Sequence, residues 1–411
     1  MDTLKSSRSS ELPPRGRFSE LWDLDPEVVY LNHGVFGACP AAIRKKQTAI
    51  QARMELQPVR FFERDLPGLL DAARQSTAAY LGAEPEGLAF VTNATEGVNA
   101  VLRSFPLESG DEVLVTDHTY EACFRAAGFV SRKAGARVAV ARIPFPLAEP
   151  EEVVERVVDA VTERTRIAVI DHVTSPTGLV LPVRDLTREL ESRGVAVLVD
   201  GAHAPGMVPL RIDELGASWY AGNFHKWLCA PKGSGMLWTR EDRRESTRPL
   251  CISHGAGTSV EDNQRYRHEF DWTGTRDFSA WLVVPDCIEM LGGLRDGGWK
   301  AHMSENRALS LRGRELLCGR LGMEAPAPED MIGSLAAVPL SPGPPLGTSS
   351  SMEPLQKLLI DKWKVDVTVT RWPSEPSRVL RISTQAYNGV EELEYLAEVL
   401  PAALSEADRC G

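Results

Sequence analysis

The chain has 411 residues, 43% of them hydrophobic and 25% charged, with a formal net charge of −11. That length allows two domains around a large core, and the composition is that of an ordinary soluble globular protein. The acidic balance argues against nucleic acid or an anionic membrane as partner, and no apolar stretch approaches a membrane span in length.

In chain order, Met1 to Arg17 is rich in Ser, Arg and Pro and lacks the apolar stretch of a signal peptide. It reads as a mobile arm; residues 1–28 are placed outside the folded domains, and the expected location is cytoplasmic. Tyr30 to Gly37 begins like a strand and is broken by Asn32-His33-Gly34. Helical spacing covers residues 41–57 and again Leu66 to Leu81, the second closed by Gly82. Gly87 to Thr92 predicts a strand and Asn93 to Leu102 the helix after it. The free N–H groups of that first turn, around Ala94 and Thr95, can seat a phosphate, although Asn93 or Thr95 can equally cap a helix that binds nothing.

Predicted strands Glu112–Thr116, Ala136–Ala141 and Arg166–Ile170, with helix Glu151–Thr162, continue the βα alternation. They bring Tyr120, Asp171-His172 and Ser175 to one rim. Val195 to Asp200 is a continuous aliphatic run ending in a carboxylate, as in a parallel strand buried on both faces. Asp200 then lies where open α/β sheets bind ligands and needs a cation or hydrogen-bond donors; its other reading is a turn cap. Ala217 to Ala221 predicts a short strand ended by Gly222-Asn223. Lys226 follows in a turn between Phe224 and Trp227, surroundings that would desolvate its ammonium and lower its pKa, as a Schiff-base lysine requires. The alternative is a lysine whose stem lies on the aromatics while its charge reaches water.

Gly233 to Trp238 reads as a further, antiparallel strand. From Trp281 the pattern changes to helices and short strands, with the Pro- and Gly-rich residues 324–350 read as loops and Val365–Thr370 and Val379–Ser383 as strands. A large domain is assigned to residues 29–281 and a small one to 282–411. The seven cysteines form no CxxC pair, which points to a reducing compartment without a disulfide framework or zinc ribbon.

The stretches Tyr30-Leu-Asn-His-Gly-Val-Phe-Gly37, Asp171-His-Val-Thr-Ser-Pro-Thr-Gly178, Asp200-Gly-Ala-His-Ala-Pro-Gly206, His225-Lys-Trp-Leu-Cys-Ala-Pro231, Gly274-Thr-Arg-Asp277 and Arg381-Ile-Ser383 follow one another in that order. Together they resemble the pyridoxal-phosphate enzymes of fold type I, class V aminotransferase group, and within it the isopenicillin N epimerase-like proteins. The resemblance runs from about Tyr30 to about Ala397. It implies a mostly parallel seven-stranded sheet in a large domain plus a smaller α+β domain.

It also implies that Lys226 carries pyridoxal 5'-phosphate, with the phosphate on the turn at Ala94 and Thr95 and His225 nearby. Asp200 would face the pyridine nitrogen, Tyr120 would stack on the ring, and His203 and Ser175 would lie at the phenolic oxygen. For Tyr120 the plainer reading is packing at the sheet edge. Arg381 would bind the substrate carboxylate, for which a planar guanidinium is suited; its plainer reading is a surface salt bridge. His33 is expected near the substrate, or else as a turn residue bonded to backbone. The resemblance further implies a homodimer in which Thr275 of the partner subunit reaches the phosphate.

Freed Lys226 would then take the Cα proton of an amino acid, with Lys226, Asp200 and Tyr120 as the catalytic set. The segment Thr370–Leu380 holds no cysteine, so a protein persulfide relay is not expected. β-Elimination from a cysteine-type conjugate asks least of these residues. Epimerisation ranks second, ahead of decarboxylating or oxidative deamination and aminotransfer. Two other classes stand beside this reading. One is a metal hydrolase using His118, His172, His203 and His225, which all follow predicted strands but lack HExxH spacing. The other is a non-catalytic binding protein that retains a cofactor fold.

Overall fold

The computed structural model describes residues 12–257, 262–345 and 352–410, so residues 1–11 of the expected arm lie outside the described residues. A seven-stranded sheet forms the centre of the chain, in the order Leu88–Val91, Gly235–Thr239, Trp219–Asn223, Ala196–Gly201, Thr165–Asp171, Glu112–Thr116, Arg137–Ala141. Gly235–Thr239 is antiparallel to both neighbours, and the other pairings are parallel. Val197, Leu198 and Val199 are fully buried, as a central strand covered on both faces requires.

The helix Ala94–Ser104 lies close against this sheet because Gly97 has no side chain. A Cβ there would come within 3.2 Å of the Ala221 Cβ. Gly201 is needed for the same reason, since a Cβ would fall 2.1 Å from the Tyr220 ring. The strand ends and helix starts therefore converge on one edge of the sheet. Trp219–Asn223 runs two residues further than its sequence suggests: Gly222 and Asn223 stay in the ladder, paired with Met236 and Gly235. Ladder hydrogen bonds on both sides outweigh their weak strand preference.

A second, three-stranded antiparallel sheet has Arg378–Ser383 at its centre, between Thr368–Arg371 and Leu335–Leu340. The last strand corrects the expectation of loops over residues 324–350. Ala336 and Val338 are buried in the small-domain core and Leu335 packs on the opposite face with Val173, Met207 and Trp227, and this burial overrides the surrounding turn residues. Helices Gly298–Leu321, Pro354–Trp363 and Val390–Cys410 belong to this part. Among the described residues no helix is long and apolar enough to cross a membrane.

Residues 12–28 are not free. The Gly16 amide donates to the Tyr387 carbonyl at 2.9 Å, and buried Trp22 donates from Nε1 to Ala38 at 3.1 Å. The short strand Val29–Tyr30 pairs with Val365–Asp366, and Val29 and Leu31 share the apolar core of the small sheet. Conversely Trp281, Val283, Val284 and Cys287 pack in the core of the large sheet. Hydrophobic packing thus joins the start of the chain to its end and carries Trp281 to Cys287 into the large sheet's core.

Candidate active site

The carboxyl ends of the large sheet surround a cavity of about 210 Å³. A larger one, about 340 Å³, lies beside Leu66 and Asp271 and contains none of the groups discussed here. Asp200 ends the strand Ala196–Gly201, is 3% exposed, and lines the first cavity. Its Oδ1 accepts from the Ala202 amide at 3.0 Å and its Oδ2 from the Cys123 thiol at 3.0 Å.

Lys226, His203, His225, Tyr120, Ala94 and Thr95 line the same cavity. The Lys226 amine is 3.0 Å from His203 Nε2, and Trp227 Nε1–H donates to His203 Nδ1 at 3.2 Å. Indole N–H can only donate, so Nδ1 is an acceptor and the neutral imidazole carries its proton on Nε2. That proton points at the lysine nitrogen, which accepts it only as a free amine. Burial, with the Arg381 charge adding to it, lowers Lys226 to about 8. Burial and then the Lys226 charge likewise keep His203 well below its ordinary range. The flanking aromatics, Phe224 and Trp227, are fully buried beside it.

The helix at Ala94 is capped by Asn93, whose Oδ1 accepts from Glu96 N at 2.9 Å. The Ala94 amide donates to Asn223 Oδ1 at 2.8 Å, so it is already used within the protein. Thr95, in the first turn, lines the cavity, and its amide has no carbonyl to meet inside the helix. His225 Nδ1 bonds the Ser234 carbonyl at 3.1 Å, and burial lowers this imidazole to about 4. Tyr120 stands 43% exposed, its phenol raised by burial.

Two expectations are corrected. His33 is fully buried and turned away from the cavity. Its Nε2–H donates to the Lys226 carbonyl at 2.9 Å and its Nδ1 accepts from Tyr387 at 2.8 Å, and burial lowers it to about 3. Val35 and Phe36 take the wall instead, because the turn closes at Gly37 (φ 68°), where a Cβ would strike the His225 carbonyl. Ser175 is not in the wall; its carbonyl and hydroxyl accept from Arg381 Nη1, the hydroxyl at 3.2 Å. Thr275 is exposed on the surface of the single chain, outside the cavity.

Arg381 sits in the central strand of the small sheet, 4% exposed. Its guanidinium meets only neutral oxygens, those of Ser175 and Thr368, and Nε has no partner. Among the described residues no carboxylate pairs with it, and burial lowers it to about 10. The histidines of the metal reading do not converge. His118 bonds Thr177 and the Ile143 carbonyl, while His172 bonds Tyr220. No three His, Cys, Asp or Glu side chains among the described residues are grouped to hold a metal.

Sequence reasoning gave no role to Cys123 or Asn223, gave Trp227 only the desolvation of Lys226, and brought Asp171 to the rim without a task. Asp171 ends its strand as Asp200 does, and that shared position was the available signal. A pyridoxal-phosphate group fits these residues: a buried carboxylate, a lysine of lowered pKa and the first turn of a helix line one cavity.

The class-V aminotransferase family model matches residues 62–340. An isopenicillin N epimerase from Amycolatopsis lactamdurans is 40% identical over 92% of this chain and 95% of its own length. A probable L-cysteine desulfhydrase from Arabidopsis thaliana is 28% identical over 95% of this chain and 86% of its own. In fold, a cysteine desulfurase from Escherichia coli superposes with a TM-score of 0.76 at 20% identity, over 95% of this chain and 98% of that one. The lysine turn, the strand-end aspartate and the family match agree, and the chain belongs to the class-V aminotransferases as a pyridoxal-phosphate-dependent enzyme.

Proposed function

We propose that the enzyme takes the Cα proton from an L-α-amino acid and expels a sulfur-bearing β-substituent. The observation that carries this reading is the Trp227–His203–Lys226 chain of hydrogen bonds, which holds at the cavity wall a lysine whose pKa is lowered to about 8. When bound, the cofactor supplies the electron sink that makes a Cα–H bond acidic. Asp200 is placed to keep the pyridine nitrogen protonated, and Thr95 and His225 to hold the phosphate end. Lys226 would hold the cofactor and, as a free amine, would serve as the base for the Cα proton.

Arg381 receives the substrate carboxylate. A buried guanidinium with neutral oxygen partners and a spare N–H is short of one anion, and a carboxylate supplies it in bidentate geometry. Ser175 and Thr368 position that arginine. In the elimination the Cα proton passes to Lys226 and the C–S bond breaks with its electron pair leaving on sulfur. The released enamine takes up water to give a keto acid and ammonia.

A second reading is epimerisation. Tyr120 offers a half-exposed phenol that burial keeps protonated, close enough to Arg381 to feel its charge, and the 40% identical relative is an epimerase. We place Thr275, exposed on the single chain, at a homodimer interface, where it would reach the phosphate held by the other subunit. Incubation with S-substituted cysteines in heavy water, followed by mass analysis, separates the readings. Elimination yields thiol and keto acid; epimerisation returns substrate of both configurations with deuterium at Cα. Substrate recovered without deuterium and without products would overturn both.

A further inference from the structure

Asp171 and Asp200 are direct partners across two parallel strands, so their side chains leave the same face of the sheet side by side. Both are buried, at 2% and 3% exposure, and both line the cavity. Their surroundings differ. Asp200 accepts from an amide and a thiol at 3.0 Å each. Asp171 accepts from the Tyr120 amide on Oδ1 at 3.4 Å, with Thr119 beside it, and its Oδ2 has no partner. No lysine, arginine or histidine forms an ion pair with either carboxyl among the described residues. Two adjacent buried carboxylates without a paired cation cannot both ionise at acceptable cost.

We propose that Asp171 and Asp200 form a carboxyl pair sharing one proton, with Asp171 the protonated member and Asp200 the anion presented to the cofactor ring. The donors decide the assignment: the better-solvated partner keeps the charge. The free Oδ2 of Asp171, buried without a partner, is then the oxygen that carries hydrogen. The groups facing the pair are Cys123 from the helix Glu121–Ala134, Tyr120 at its start, and Lys226 from the turn after the third strand. Cys123 stays a thiol because burial and the Asp200 charge raise it, so it can only donate to the pair. Burial and the neighbouring charge raise Asp171 well above the carboxylate range, in the same sense. The pair thus presents a single negative charge to the protonated pyridine nitrogen. Asp171 is a positioning residue, acting through Asp200.

The presentation to the ring rests on the role proposed for Asp200; the shared proton does not. The apo-protein tests the proton directly by infrared difference spectroscopy at neutral pH. A protonated-carboxyl stretch should be present in wild type and absent in Asp171→Asn; in Asp200→Asn, where burial remains but the neighbouring charge is gone, it should titrate away at a lower pH than in wild type. In the holoprotein, Asp171→Asn should bind pyridoxal phosphate within about threefold of wild type, since a neutral amide replaces a neutral acid. Removal of a true anion beside the pyridinium would weaken binding on the order of tenfold, one pKa unit's worth. No protonated-carboxyl band in wild type, or a band that survives Asp171→Asn, would overturn the pair. If the band behaves as expected while Asp200→Asn leaves the bound cofactor's spectrum unchanged, the pair stands and the reading of Asp200 fails.

Discussion

Lys226 and Arg381 are both basic groups that no carboxylate pairs with among the described residues, yet the structure treats them in opposite ways. Lys226 stands on the large sheet's rim with His203 donating to its nitrogen, and its pKa falls to about 8. Arg381 stands in the small sheet, held by the oxygens of Ser175 and Thr368, and at about 10 it keeps its charge. Desolvation acts on both. The lysine can yield its proton and becomes a nucleophile and base. The arginine, far stronger as a conjugate acid, remains an unsatisfied charge that a substrate carboxylate can complete. One type of environment thus makes two different tools, according to the intrinsic pKa placed in it.

The sharpest break of this contrast is Lys226→Ala, which should abolish covalent cofactor attachment. Borohydride reduction followed by peptide mapping checks it, and label on another lysine would place the attachment elsewhere. Asp200→Asn comes next. It should retain the cofactor but lower kcat on the order of 100-fold, about 2.7 kcal/mol, because an amide cannot hold the pyridinium charge. A variant as fast as wild type would make the aspartate structural.

On the arginine side, Arg381→Ala should chiefly raise KM. A charge-assisted hydrogen bond contributes about 1.5–3 kcal/mol, which corresponds to a factor on the order of 10 to 100. Arg381→Lys should recover little of it, since a point charge cannot reproduce the planar fork. Equal KM values across the three proteins would move the carboxylate site.

The smallest effect expected is a shift in pH dependence. Below about 8 the Lys226 nitrogen is protonated and unreactive, and above it the amine is free. Cofactor attachment to the apo-protein should therefore accelerate with rising pH and level off past that midpoint. Trp227→Phe removes the donor that fixes the His203 tautomer, and Nε2 can then accept from an ammonium. The midpoint should move upward by about one unit or less. A simple packing defect would slow attachment at every pH and leave the midpoint in place.

Most of the sheet was legible from the chain, because its strands are continuous apolar runs and its helices carry ordinary stop signals such as Gly82 after Leu81. Asp200 and Lys226 were legible for the same local reason: a carboxylate at the end of a buried run, and a lysine in an aromatic turn. The misread segments are those whose conformation is set by distant partners. Leu335–Leu340 becomes a strand because Arg378–Ser383 lies beside it, and residues 12–28 pack because Tyr387 and Ala38 receive their donors.

Local sequence determines what a segment prefers and which functional groups it carries. It carried here the motifs whose resemblance implies the cofactor class, along with the strand-end aspartate and the turn lysine. Which way a side chain turns is settled by what stands opposite it. His33 faces Tyr387 and the Lys226 carbonyl, Ser175 faces Arg381, and Asp171 lies against Asp200, all across long sequence separations. Hydrogen-bond geometry and charge spacing operate over a few ångströms, and only the tertiary structure brings residues so far apart in the chain within that range.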